Sequence, residues 1–144
     1  AFSDYDKDGD TDVYVANDGT MNFLYENQQG SFVETGLRAG TRYNADGRAE
    51  AGMGVDFGDV DNDGSLDLYV TNFAGETNTL YVNDARGEFR NATAGVGLAH
   101  PSFMPLGFGA KFLDYDNDRF LDLFRFLLRD RWRSAGARAR HWVS

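Results

Sequence analysis

Phe57-Gly-Asp-Val-Asp-Asn-Asp-Gly-Ser-Leu-Asp-Leu-Tyr-Val-Thr-Asn72 packs four aspartates into nine residues and then runs into an alternating apolar stretch. The same arrangement opens the chain as Phe2-Ser-Asp-Tyr-Asp-Lys-Asp-Gly-Asp-Thr-Asp-Val-Tyr-Val-Ala-Asn17, and it returns as Phe112-Leu-Asp-Tyr-Asp-Asn-Asp-Arg-Phe-Leu-Asp-Leu-Phe124. The spacing is 55 residues both times. Downstream, Asn22-Phe-Leu-Tyr-Glu-Asn27 answers Asn78-Thr-Leu-Tyr-Val-Asn83, and Gly30-Ser-Phe32 answers Gly87-Glu-Phe89, so the repeat extends well beyond one loop.

Within a unit the apolar period is two. Val55 and Phe57, Leu68 and Val70, and Leu80 and Val82 alternate with their neighbours, which predicts strands near 52–58, 67–72, 79–83 and 88–92. Four short antiparallel strands, recurring in successive units, describe an all-β chain: a partial β-propeller of about two and a half four-stranded blades with Asp-rich hairpin loops. The boundaries are the end of a first blade over 1–35, a connection over 36–50, a complete second blade over 51–93, a connection over 94–106, the start of a third blade over 107–124, and an atypical Arg-rich tail over 125–144. Composition agrees. The 18 Asp against 5 Glu, with 17 Gly, favour turns and strands over helix surfaces, and 42% hydrophobic residues suffice for a core in a chain of 144. A net charge of −9 argues against duplex nucleic acid or an anionic membrane as partner, and no apolar run is long enough for a membrane span. The absence of cysteine removes disulfides, zinc fingers and thiol catalysis. Because the chain opens inside a motif, it is expected to be a fragment that needs the remaining blades of its parent chain.

The loops Asp4 to Asp12, Asp59 to Asp67 and Asp114 to Asp122 hold 13 of the 18 aspartates. Crowded carboxylates repel by roughly 1 kcal/mol per close pair even in water, so something must neutralise them. Asp-rich turns that are merely solvated are the plain alternative, but three occurrences in register with the repeat count against turn preference alone. Side chains at loop positions 1, 3 and 5 can converge, Gly at position 6 permits the sharp turn, position 7 offers its backbone carbonyl and position 9 a last carboxylate. An all-oxygen set of this size suits calcium. An EF-hand would need Glu at position 12, where Val15, Val70 and Arg125 stand, and flanking helices, where strands are predicted.

These residues resemble the FG-GAP or VCBS repeat of integrin-alpha-like β-propellers. More narrowly, Gly52-Met-Gly-Val-Asp-Phe-Gly-Asp59 with Asn72-Phe-Ala-Gly-Glu-Thr-Asn-Thr-Leu-Tyr81 resembles bacterial proteins related to cartilage acidic protein, which often carry an ASPIC/UnbV domain after the propeller. The resemblance implies calcium held by Asp4, Asp6, Asp8, Asp10 and Asp12 and by Asp59, Asp61, Asp63, Ser65 and Asp67, with Asp10 and Ser65 acting through their carbonyls. In the third loop the matching residues are Asp114, Asp116, Asp118, Phe120 and Asp122, but Arg119 replaces the turn glycine, so either weakened calcium binding or an Arg in place of the metal follows. The resemblance further implies an extracellular, cell-surface or periplasmic module for recognition of a protein or glycan, or for adhesion, without catalysis. Some propellers with similar repeats are polysaccharide lyases or dehydratases, and that is the competing class. It would need a cluster such as Arg42 and Tyr43 with residues of a neighbouring blade. His100 and His141 are expected at the surface, and the tail could form a short amphipathic helix over 123–133.

Overall fold

The computed structural model describes residues 1–128. Three antiparallel sheets follow one another along the chain. The first contains β1 (Phe2–Ser3), β2 (Asp12–Val15), β3 (Phe23–Gln28) and β4 (Ser31–Glu34), paired in chain order. The second contains β5 (Gly52–Gly58), β6 (Asp67–Asn72), β7 (Thr79–Asn83) and β8 (Phe89–Asn91), again in chain order. After a single short helix, α1 (Ala99–Ser102), β9 (Leu106–Leu113) pairs with β10 (Asp122–Leu128) to start the third. The strands lie where the alternation placed them. The suggested helix over 123–133 is not formed across its first half: Leu123 to Leu128 is strand, paired residue by residue with β9, and the rest lies outside the described residues. Pairing wins there because Leu123 and Phe112 enter a shared core, whereas a short isolated helix would have no such partner.

Each sheet sends alternate side chains to the sheets on either side. Tyr14 and Leu24 of the first sheet meet Val55, Phe57, Leu68 and Val70 of the second. On its other face the second sheet offers Tyr69, Leu80 and Val82 to Phe112, Ala110 and Leu123 of the third. One contact recurs with the repeat. Tyr14 packs edge-on to Phe57 at 6.4 Å, and Tyr69, 55 residues after Tyr14, packs edge-on to Phe112 at 6.1 Å. Phe2, the counterpart of Phe57 in the first sheet, is 76% exposed on the outward side.

The strands that open the second and third sheets, β5 and β9, are the inner strands of this joint and approach each other closely. Position 54 must be glycine, because a Cβ there would lie 2.9 Å from both the N and the C of Gly109 in β9, a backbone that cannot rotate away. Both inner strands also carry a bulge at matching places, between Gly52 and Val55 and opposite Phe126/Leu127. The bulge bends each strand at the close approach.

Hairpin loops are closed by asparagines. Asn78 Oδ1 accepts from Asn72 N at 2.9 Å and Asn22 Oδ1 accepts from Asn17 N at 2.8 Å, so the same side chain closes the β6–β7 and β2–β3 loops. These loops, with the connections, sit at one end of the strands, and the three Asp-rich loops sit at the other.

Candidate metal centre

All three Asp-rich loops fold the same way, through four recurring bonds from backbone N–H to carboxylate. The N–H at position 6 donates to the position 1 carboxylate: Gly9 to Asp4 at 3.1 Å, Gly64 to Asp59 at 2.9 Å, Arg119 to Asp114 at 3.0 Å. The N–H at position 5 reaches the position 3 carboxylate in each loop, Asp8 to Asp6, Asp63 to Asp61 and Asp118 to Asp116. The N–H at position 7 reaches the position 5 carboxylate, from Asp10, Ser65 and Phe120 to Asp8, Asp63 and Asp118. The N–H at position 2 reaches the position 9 carboxylate, from Tyr5, Val60 and Tyr115 to Asp12, Asp67 and Asp122. Positions 4 and 6 take the left-handed backbone conformation throughout: Lys7, Asn62 and Asn117 at φ 63, 58 and 62, then Gly9, Gly64 and Arg119 at φ 94, 88 and 77. Glycine adopts that conformation freely, while Arg119 does so at a cost on the order of 1 kcal/mol. Arg119 forms no ion pair among the described residues.

The loops bring carboxylate oxygens within 4.8 Å of one another from Asp4, Asp6 and Asp8, from Asp59, Asp61 and Asp67, and from Asp114, Asp116 and Asp122. Each group could hold a metal ion. Asp12, Asp63 and Asp118 stand outside these groups, and Asp10, Ser65 and Phe120 turn their N–H groups inward to position 5. The donor set is oxygen only, and Asp4 Oδ1 is buried with no hydrogen-bond partner, an orphaned acceptor of the kind a hard cation satisfies. The residues present therefore fit a hard metal cation.

Position 9 has a second task that spacing did not reveal. Asp67, 1% exposed, accepts from Val60 N at 2.9 Å through one oxygen and from Asn83 N at 2.9 Å through the other, tying the loop to β7. Asp12 does the same with Tyr5 N and Asn27 N. The signal was the asparagine that ends Asn22–Asn27 and Asn78–Asn83 in both units.

Burial raises the carboxyls of Asp6, Asp12 and Asp67 above the ordinary aspartate value, the N–H groups each accepts pulling the other way. Such a carboxyl holds its proton more readily in the folded chain. It contributes stability that is complete below the ordinary aspartate range and is lost as pH rises through the raised folded-state value. In EDTA the chain is therefore expected to melt higher at pH 4 than at pH 7, and in millimolar calcium the order should reverse, because the ligands must be ionised to bind. Melting curves at both pH values check this, and the same pH order with and without calcium would refute it.

At the opposite end the connections are more committed than their sequence suggested. Arg38 pairs with Glu26 at 2.6 Å and Arg42 with Glu34, while Tyr43 OH donates to Met21 Sδ. Glu50, which the sequence reading passed over, is half-buried and accepts from Asn44, Asn72 and Thr79, and burial raises its carboxyl. His100 lies in α1, and Phe103 just after it is exposed.

Four-stranded antiparallel sheets stacked through a repeated aromatic contact, each opening on an acidic hairpin loop, define a propeller-type repeat module. The FG-GAP-like repeat matches twice, over residues 4–70 and 59–124, and the chain belongs to that family. It is 31% identical over 116 residues to cartilage acidic protein 1 of Mus musculus, across 79% of this chain. The chain spans 17% of that relative's length. Among the described residues, no helix is long and apolar enough to cross a membrane.

Proposed function

We propose that the chain is part of a calcium-loaded, non-catalytic recognition propeller acting outside the cytoplasm, at the cell surface, in the periplasm or beyond. In it the Asp loops stiffen one rim and the connections at 36–50 and 94–106 meet a protein or glycan partner on the other, as in adhesion. The observation that carries this is the recurrence of the same backbone-to-carboxylate bonds in three acidic loops in register with the repeat, each loop gathering three carboxylates. A bound calcium would neutralise each group and lock its hairpin, and Asp4, Asp6 and Asp8 with Asp12, and Asp59, Asp61 and Asp67 with Asp63, would hold it. The Asp10 and Ser65 carbonyls complete the proposed sets. The third set of Asp114, Asp116, Asp118, Asp122 and the Phe120 carbonyl binds more weakly, because Arg119 strains its turn. Similarity to a protein named for cartilage supports the extracellular location. Arg42 and Tyr43, the cluster that a lyase or dehydratase would recruit, are engaged with Glu34 and Met21, which favours the binding module.

Calorimetric titration tests the metal arm. Dissociation constants of about 10⁻⁴ to 10⁻³ M are expected, with a melting temperature that falls on adding EDTA. Asp61→Ala should remove one site, and Asp116→Ala should change the isotherm less; equal losses would refute the ranking of the loops, and no calcium heat would end the metal assignment. For the partner, the complete propeller is screened on glycan arrays and polysaccharides. Turnover abolished by replacing one ionisable connection residue, in a protein that still folds, would replace recognition by catalysis.

A further inference from the structure

We propose that Lys7, a residue of the first blade, sets the metal affinity of the second blade's loop. This rests on the calcium assignment above. Lys7 stands at position 4 of its own loop, where the left-handed backbone at φ 63 points the side chain out of the turn and toward the next blade. Its Nζ donates to Ser65 Oγ at 3.3 Å. Ser65 is fully buried, occupies position 7 of the second loop, and donates its N–H to Asp63 Oδ1 at 2.7 Å. The ammonium therefore rests on the turn that bears the second group of carboxylates.

The reach is a property of the position. Asn62, at position 4 of the second loop with φ 58, donates from Nδ2 to Arg119 O at 3.2 Å in the third. The first and second loops thus lean on the next through the same position, but only the first does so with a charge. The second loop receives a cation and the third a neutral amide. The second loop also has Ser65 where the first has Asp10, one carboxylate fewer.

Lys7 consequently sets a positive charge beside the site of a divalent ion, held there through Ser65 and, among the described residues, not through an ion pair with the carboxylates. Without metal the ammonium offsets part of their mutual repulsion and supports the fold. With metal it is repelled by the ion, and the second loop binds more weakly than its ligand set alone would allow. At the dielectric of a protein surface and physiological salt, the expected weakening is about threefold to tenfold.

The test is a calcium titration by calorimetry, with melting in EDTA, of the 144-residue chain and its Lys7→Gln, Lys7→Arg, Asp61→Ala and Lys7→Gln/Asp61→Ala variants. Lys7→Gln should tighten one site about threefold to tenfold and lower the melting temperature in EDTA, while Lys7→Arg, which keeps the charge, should match the parent in both. The tightening should vanish in the Asp61→Ala background, where the second loop is disabled. Tightening that survives there would place the charge effect in Lys7's own loop and overturn the proposal, as would Lys7→Gln curves that superimpose on those of the parent. An absence of calcium heat in the parent would remove the calcium assignment alone. The comparison of Lys7→Gln with Lys7→Arg in EDTA would still decide whether the ammonium is the counter-charge of the second loop.

Discussion

Asp67→Ala is expected to lower the stability of the metal-free chain by about 3 kcal/mol and to lower it further in calcium. The carboxylate is buried and accepts from Val60 N and Asn83 N at 2.9 Å each, so truncation strands two N–H groups in a place water does not reach. Each stranded group costs about 1–3 kcal/mol, and the relief of a carboxyl whose proton affinity is raised by burial returns only part of that. In calcium the variant also loses a ligand, so its deficit must widen. Urea denaturation of parent and variant, with EDTA and with calcium, measures both parts. Equal deficits in the two conditions would show that Asp67 is a backbone clamp alone, and no deficit in EDTA would refute the clamp.

Gly54→Ala should be as damaging without touching any loop. The new methyl would meet the backbone of Gly109, not a side chain that can change rotamer, so β5 and β9 must separate along the contact that aligns the second and third sheets. Overpacking against fixed backbone is expected to cost about 3 kcal/mol. Gly95→Ala is the control: it has an ordinary φ and only one atom in range, at 3.5 Å, and it should change stability by less than about 0.5 kcal/mol. Similar denaturation midpoints for the two variants would mean that the inner strands are free to part.

The fold was legible because period-two alternation around Val55, Leu68 and Leu80 and the 55-residue recurrence agree, and both are properties of the chain alone. The Asp loops were legible for the same reason, since one nine-residue turn repeated three times places its carboxylates by local geometry. Less legible was anything that depends on how one blade is set against the next. That Lys7 would reach Ser65, that Gly54 would face Gly109 and that Tyr14 would find Phe57 are consequences of the rotation between sheets, which linear spacing does not contain. The double duty of Asp67 lay between these cases. Its partner Asn83 was visible as a repeated asparagine, but a backbone N–H leaves no mark of its own in a sequence.

The edge-on aromatic contact has a directional consequence. Tyr14 and Tyr69 always present a ring forward, and Phe57 and Phe112 always receive it from behind, so the surface offered at one end of the stack differs from the surface offered at the other. In symmetry terms the joint is heterologous: by the 55-residue register Phe2 holds the receiving position and Phe124 the presenting position of that contact. A two-fold axis cannot satisfy such a joint, because it would set like against like. Units related in this way add head to tail, each turned by the same angle, and the series ends only where those turns complete a circle; otherwise it continues as an open helix.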